Sequence, residues 1–370
     1  MRERPKDPVA ALGMMLTAAA APEAPAPDPV AEFKGTAMGL AKSSLQMHLV
    51  QLGDELGMFQ AFLDHGAMTI ATLSSKVGVV ARYLKEWCMS MATMKVLEYT
   101  AAADTFDIVQ GIKPAIGDSG TMALFGAAVA AYMAHDKLIA GIKSGKGVEW
   151  AEHHHLLYSG TKRFFAPVYE GALIPNLPAC IKDVLQGGGL LADVGCGQGV
   201  SVKVLADAFP KCQVTGFDFH EPSIEAAKEL TKDLGNVTYD IAGADSCGVT
   251  GKFDVVIFFD CFHDMAVAGA AAKNAARILK PGGQVMLIEM MGPEEDTMEA
   301  QLALPSTEMF STFSCHFCLP CGLCNDGDAL GTTVATSTHR KLFTAGGFKT
   351  LESVPNPLNE MGFRVLVGEK

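Results

Sequence analysis

The chain has 370 residues, 49% of them hydrophobic, and a formal net charge of −12. That length allows two domains of ordinary size with substantial cores. The acidic balance works against a partner gripped mainly through its phosphates, which needs a basic face. A small-molecule partner is therefore expected, with no nucleic acid. No apolar run reaches the roughly 18 to 20 residues that cross a bilayer, so no membrane partner is expected either. Ten cysteines in so long a chain read as reduced thiols of a cytoplasmic protein rather than as a disulfide scaffold.

Residues 1–34 read as a disordered Ala/Pro-rich tail. Arg2, Arg4 and Lys6 ahead of VAALGMMLTAAAA loosely imitate a targeting leader, but Asp7 interrupts the basic end and most of the apolar residues are alanine. Residues 35–64 carry apolar positions at helical spacing (Met38, Leu45, Leu49, Leu52, Leu56), which predicts one or two helices. A short helix over Thr69–Val77, a turn at Gly78, a second helix over Ala81–Met94 and a hairpin of Val96–Tyr99 with Thr105–Ile108 then give a helix-turn-helix with a wing. The second helix offers only Arg82, Lys85 and Lys95, with Glu86 among them. Residues 35–110 are accordingly assigned to a winged-helix-like dimerisation domain, and a homodimer is expected. Residues 111–185 read as a helical linker and lid that includes the aromatic stretch LLYSGTKRFFAPVYEGAL.

From Gly188 strands alternate with helices, the pattern of a parallel α/β sheet. Strands are predicted at 190–194, 213–219, 237–242, 254–260 and 284–290. A helix over His339–Ala345 and two close strands, FKTLESV and FRVLVGEK, suit an antiparallel edge pair at the end. After the first strand, LLADVGCGQGV places Gly195, Gly197 and Gly199 at the start of a helix, where glycines permit a tight turn and the close approach of a ligand. A dinucleotide loop would read G-x-G-x-x-G and hold a pyrophosphate. Here Asp193 stands two residues upstream, and a carboxylate there repels phosphate and suits a ligand with cationic groups. Asp218 closes the second strand, where an acid accepts hydrogen bonds from ribose hydroxyls, and Asp245 follows the third, within reach of an adenine amino group.

With ADVGCGQG, GFDFHEPSIEAA, GKFDVVIFFDCFHDM and AARILKPGGQVMLIE in this order, residues 188–290 resemble the class I S-adenosylmethionine-dependent methyltransferases. The winged front and LLYSGTKRFFAPVYE extend the resemblance to two-domain small-molecule methyltransferases over nearly everything after residue 35. The resemblance implies a Rossmann-like seven-stranded methyltransferase sheet over residues 186–370 and S-adenosyl-L-methionine as cofactor. It implies a cofactor site made of Asp193, Gly195, Cys196, Gly197, Gly199, Asp218, Phe219, Asp245 and Ser246, with Phe259, Asp260 and Cys261 as the wall beneath the methionine portion.

Methyl transfer from a sulfonium is an in-line displacement, so the protein's tasks are alignment and control of the acceptor's proton. His263 follows the fourth strand in CFHDM, and its ordinary pKa of about 6.5 suits a base near neutrality. In the resembled O-methyltransferases a histidine of such a His-Asp pair is the general base. That implies O-methylation with His263 catalytic and Asp264 or Glu289 orienting it. The aromatic stretch supplies candidate contacts to the acceptor or a cover for the cofactor, Tyr158, Phe164, Phe165 and Tyr169, with Arg163 for a carboxylate. S-methylation of a small thiol or thioether acid, as in sulfonium osmolyte synthesis, is the enzymatic rival. A cofactor-sensing DNA-binding regulator is the rival of another class. Finally, CHFCLPCGLC spaces Cys315, Cys318, Cys321 and Cys324 evenly, but zinc sites draw ligand pairs from separated turns and iron–sulfur runs space the last cysteine differently. These thiols, Cys315 among them, are read as lining of the acceptor pocket, and no metal is expected.

Overall fold

The computed structural model of the chain describes residues 28–370. Its first helix, α1 (Pro29–Glu55), begins inside the segment expected to be tail. The Asp28 carboxylate accepts the Val30 amide at 3.0 Å, proline occupies the first helical position and Glu32 lies in the first turn, all favourable at a helix start. Residues 1–27 of that expected tail lie outside the described residues. The chain divides into two compact units, Met1–Leu49 and Val50–Lys370, and every element after α1 belongs to the second.

Helices α2 (Met58–His65), α3 (Ile70–Val77) and α4 (Ala81–Thr93) precede the antiparallel hairpin of β1 (Leu97–Thr100) and β2 (Thr105–Ile108), the wing expected from the sequence. Thr69 starts α3 by accepting the Thr72 amide on its side chain, and Gly78 ends it in the left-handed region. One face of α4 is buried through Leu84, Trp87, Cys88 and Met91. On its exposed side Arg82 is paired with Glu86. Helices α5 (Ser119–Met133), α6 (His135–Ser144), α7 (His155–Val168) and α8 (Ala179–Gln186) follow. Small residues let α7 lie close on α5: a Cβ on Gly160 would meet the Ala123 carbonyl at 3.2 Å. Among the described residues no helix is long and apolar enough to cross a membrane.

The sheet contains β3 (Leu190–Val194), β4 (Gln213–Asp218), β5 (Val237–Ile241), β6 (Phe253–Phe259), β7 (Leu279–Met290), β8 (Thr350–Ser353) and β9 (Phe363–Glu369), with α9 (Val200–Ala208), α10 (Glu221–Leu230), α11 (Ala268–Ile278) and α12 (Thr336–Gly346) between them. Its order is β5-β4-β3-β6-β7-β9-β8. Strands β3 to β7 pair in parallel, and β9 runs antiparallel to both β7 and β8. This is the seven-stranded, mainly parallel sheet expected from the sequence. Strands β4, β5 and β6 end or begin one residue from the expected bounds. The largest difference is at β7, which begins at Leu279 rather than 284, because Leu279 already pairs with Phe253 before the ladder slips and resumes at Val255 with Gln284.

Strand residues alternate between two cores, as a period of two dictates. Val255, Ile257 and Phe259 join Val202 and Leu205 of α9 on one face, while Val256 and Phe258 join Ala271 and Ala275 of α11 on the other. With helices on both faces, the central strands β3 and β6 are apolar apart from Asp193 in β3 and Asp254 in β6. Each fully buried Val, Ile or Phe contributes roughly 1.5 to 3 kcal/mol relative to exposure. The helices after β3 and β6 leave on opposite faces, so a crevice opens between these neighbours at their carboxyl ends.

Candidate active site

A cavity of about 460 Å³ occupies that crevice, within the size range of small-molecule sites. Gly195, Cys196 and Gly197 line it after β3, Asp218 and Phe219 after β4, Asp245 after β5, and Phe259, Asp260 and Cys261 at the end of β6. Two glycines have no substitute there. Gly195 sits at φ 80, and a Cβ on it would lie 2.7 Å from Cys261 Sγ. Gly199 sits at φ 77, and a Cβ would lie 2.6 Å from Tyr239 Oη and 2.7 Å from Ala227 Cβ. The Gly195 and Cys196 amides donate to the Phe217 carbonyl at 2.8 and 3.0 Å, which ties the loop to β4.

Asp218 is fixed by two amides: Gly197 donates to Oδ2 and His220 to Oδ1, both at 2.9 Å. Burial raises its pKa, and these bonds pull it back. Asp193 lies beneath the loop, fully buried and away from the cavity surface. Ser201 Oγ donates to its Oδ2 at 2.6 Å, Oδ1 has no partner among the described residues, and burial pushes its pKa up to about 7. Gly199 serves as the N-cap of α9 rather than as lining, and Ser246 is also off the cavity surface, its hydroxyl bonded to Asp245 at 3.1 Å.

The chain leaves β6 through Asp260, which holds φ 47 while its amide donates to the Ile288 carbonyl at 2.7 Å. A side-chain-bearing residue in the left-handed region costs free energy and is frequent at functional sites. The 3₁₀ turn Phe262–Asp264 follows. It puts Asp264 on the cavity wall and His263 behind it, only 2% exposed. His263 Nδ1 lies 2.5 Å from Glu289 Oε2, and its Nε2 lies 3.3 Å from Asp264 Oδ1. Glu289 Oε1 accepts the Phe262 amide at 2.9 Å, so the carboxylate is itself held. Burial opposes charge on His263, but Asp264 and Glu289 outweigh it and raise the imidazole pKa well above its ordinary value. Burial also raises the Asp264 carboxyl, against the pull of His263, while His263 keeps Glu289 below its ordinary value in spite of burial.

The opposite wall comes from α7 and the cysteine-bearing turns. Tyr158, Lys162, Phe165 and Tyr169 line the cavity at spacings of four, three and four, which is one face of a helix. Two expected contacts on this segment are corrected by that phase. Phe164 points off the stripe and packs edge-on against Phe165 at 5.1 Å, and Arg163 makes a two-pronged bond to Asp54 at 2.6 and 3.3 Å. Cys315 is corrected as well, being exposed and off the cavity, whereas Cys321 and Cys324 line it. The periodicity of Tyr158, Phe165 and Tyr169 contained the signal for Lys162, which was not singled out from the sequence. Glu149 and Trp150, also in the lining, carry no motif and arrive there only through the fold.

Residues 191–283 match the family model described as a methyltransferase domain, and residues 44–112 match the one described as an Rv2258c-like winged HTH domain. The chain thus joins a winged helix-turn-helix domain to a methyltransferase domain. Demethylmenaquinone methyltransferase of Tropheryma whipplei is 28% identical over 115 residues, which are 31% of this chain and 47% of that protein. The match therefore spans less than half of that relative, and it falls to the methyltransferase domain's length scale rather than the whole chain's. A putative O-methyltransferase from Nostoc punctiforme superposes with a TM-score of 0.68 at 14% identity, covering 93% of this chain and 99% of that one. Human N-acetylserotonin methyltransferase, solved in complex with SAM, superposes with a TM-score of 0.64 at 15% identity, covering 94% and 99%. At those identities the likeness is one of fold, and it extends from the methyltransferase domain through the helical front.

Proposed function

We propose that the protein transfers a methyl group from S-adenosyl-L-methionine to a hydroxyl of a small-molecule acceptor. In this reading the acceptor's proton enters the Asp264–His263–Glu289 chain. The observation that carries it is that Asp264, backed by the buried His263 and Glu289, lines the same cavity as the glycine loop.

The residues present fit the cofactor. Gly195 and Gly199 leave no room for a Cβ where the loop packs on the protein, and Gly197 opens onto the cavity. Asp218 and Asp245 stand at successive strand ends for ribose and adenine, and Asp193, when ionised, would set an unpartnered carboxylate oxygen under the loop. When bound, S-adenosyl-L-methionine supplies an electrophilic methyl group on a positively charged sulfur. Acids in place of bases along this rim favour such a cation over a phosphate.

A hydroxyl is a poor nucleophile until its proton begins to leave. Asp264 is the member of the chain that faces the cavity, so it meets the acceptor first. His263 stands behind it, and Glu289 fixes the ring by accepting at Nδ1, which aims Nε2 toward Asp264. The aromatic stripe of α7 closes the acceptor against the loop and excludes water.

The test incubates the protein with methyl-labelled cofactor and a panel of phenols, thiols, thioether acids and amines, comparing wild type with His263→Ala. We expect label on a hydroxyl acceptor, a rate lowered roughly 10²- to 10⁴-fold in the variant, and an unchanged cofactor dissociation constant by calorimetry. A variant as fast as wild type removes the chain from the mechanism. Label on sulfur or nitrogen alone overturns the hydroxyl assignment.

A further inference from the structure

We propose that His263, Asp264 and Cys318 form a binding site for a zinc ion, and that zinc held there closes the cavity wall at Asp264 to the acceptor's proton. The first half stands on geometry alone; the second rests on the methyl-transfer reading.

The four-cysteine run does not act as a unit. The π-helical turn Ser314–Cys318 leaves Cys315 exposed and buries Cys318 beside the strand-end turn that carries His263 and Asp264. The ligands therefore come from two separated segments, the arrangement zinc sites favour and the one an evenly spaced run lacks. One ligand atom from each of His263, Asp264 and Cys318 lies within 4.8 Å of the others, and Nε2 to Oδ1 is 3.3 Å. Tetrahedral zinc with bonds of about 2.0 to 2.3 Å sets its ligand atoms roughly 3.3 to 3.9 Å apart. The cluster is already near that size.

Three further observations separate a site from a chance cluster. Glu289 holds His263 Nδ1 at 2.5 Å, the carboxylate–histidine pairing that orients a metal-bound imidazole and leaves Nε2 for the ion. Thr332 Oγ1 donates to Cys318 Sγ at 2.9 Å, an orienting contact for the sulfur; burial pushes the thiol pKa up to about 11, so it loses its proton only in exchange for the metal. Asp264 Oδ1 is buried and makes no hydrogen bond of good geometry among the described residues, although His263 Nε2 lies 3.3 Å away, so its lone pairs are free to take an ion. Asp260, His263 and Glu289 also gather within 4.8 Å, but that set relies on two carboxylates and on the imidazole edge Glu289 already occupies. The set with sulfur, nitrogen and oxygen suits zinc over magnesium or calcium. Three protein ligands with Asp264 facing the cavity leave a fourth position open on that side, next to the lining thiol Cys321.

Binding exchanges protons for metal: the Cys318 thiol proton, and any proton on His263 Nε2, leave to solvent as zinc takes their places. With Nε2 and Asp264 bound to the ion, neither can receive the acceptor's proton, so zinc acts as a reversible inhibitor.

The reduced full-length protein is titrated with zinc chloride against a chromophoric chelator, and in parallel with cobalt(II), whose thiolate charge-transfer and tetrahedral ligand-field bands report the donor set. One equivalent of zinc should be held at submicromolar affinity. Cys318→Ser should weaken it at least tenfold and abolish the charge-transfer band. Cys315→Ser should change neither. No stoichiometric zinc in wild type, or equal zinc affinity in Cys318→Ser, overturns the site. Where an acceptor is turned over, equimolar zinc should suppress the rate in wild type, a chelator should restore it, and Cys318→Ser should resist; undiminished turnover with zinc bound overturns the inhibitory role. A protein that turns over no acceptor sinks the preceding proposal, and the titration still decides the site.

Discussion

The cavity has two unlike walls. One is made of backbone: strand-to-helix turns where Gly195 and Gly199 admit no Cβ and where Asp218 is held by the amides of Gly197 and His220. The other is made of side chains, the stripe of α7 and the thiols Cys321 and Cys324. A wall of backbone serves one ligand shape and resists substitution, whereas a wall of side chains can be repainted on an unchanged scaffold. In the reading above the first holds the cofactor and the second selects the acceptor.

The comparison breaks first at Gly199. A methyl group there meets Tyr239 Oη and Ala227 Cβ at 2.6 and 2.7 Å from a backbone at φ 77. Strain in the left-handed region and overpacking each cost about 1 to 3 kcal/mol, so Gly199→Ala should lose about 2 to 5 kcal/mol of stability in urea titrations. A loss below about 1 kcal/mol would mean that the loop yields and is no rigid wall.

Next comes Asp218. Hydrogen bonds to a charged group contribute about 1.5 to 3 kcal/mol, so Asp218→Ala should weaken cofactor binding roughly 10- to 100-fold by calorimetry. The turnover rate at saturating cofactor should fall far less. An unchanged dissociation constant would take the ribose role from this residue.

Asp193 sharpens the comparison through pH. Its pKa, raised by burial to about 7, lies above the ordinary carboxylate value, so the protonated form is the one the fold prefers. At this group the free protein is most stable at low pH and loses that contribution as pH rises through about 7. A cationic ligand has the opposite preference, for the ionised form. Affinity should therefore fall by up to tenfold for each pH unit below about 7, and Asp193→Asn should flatten that profile. A wild-type profile already flat between pH 5.5 and 8 would exclude the residue from cofactor binding.

The backbone wall was also the legible one. Strand β3 lies where the apolar run and the glycines put it, at 190–194, because turn chemistry and strand period are local. The side-chain wall depends on rotational phase, and a shift of one residue turns a helix by about 100°. That is why Phe164 and Phe165 were both expected and only Phe165 lines the cavity. The even spacing of the cysteines misled for a related reason: the wider turn at Ser314–Cys318 places residues three apart on different sides, exposing Cys315 and burying Cys318. His263 was visible as chemistry beside a strand end, but its position behind Asp264 follows from a 3₁₀ turn that no motif announces.

Arg163 carries the smallest expected effect and the clearest lesson about the side-chain wall. As a lone cation beside the aromatic stripe it was expected to receive an acceptor carboxylate, yet Asp54, 109 positions away in the chain, holds both prongs of its guanidinium. The pair is partly exposed, with side chains 37% and 20% accessible, so screening limits its contribution to about 0 to 1 kcal/mol. Arg163→Ala should shift the urea midpoint only slightly and leave the KM for the acceptor unchanged. If instead KM for a carboxylate-bearing acceptor rises tenfold or more while KM for its neutral analogue does not, Arg163 must leave Asp54 when the acceptor arrives. The side-chain wall would then be remade by its ligand, in contrast to the backbone wall facing it.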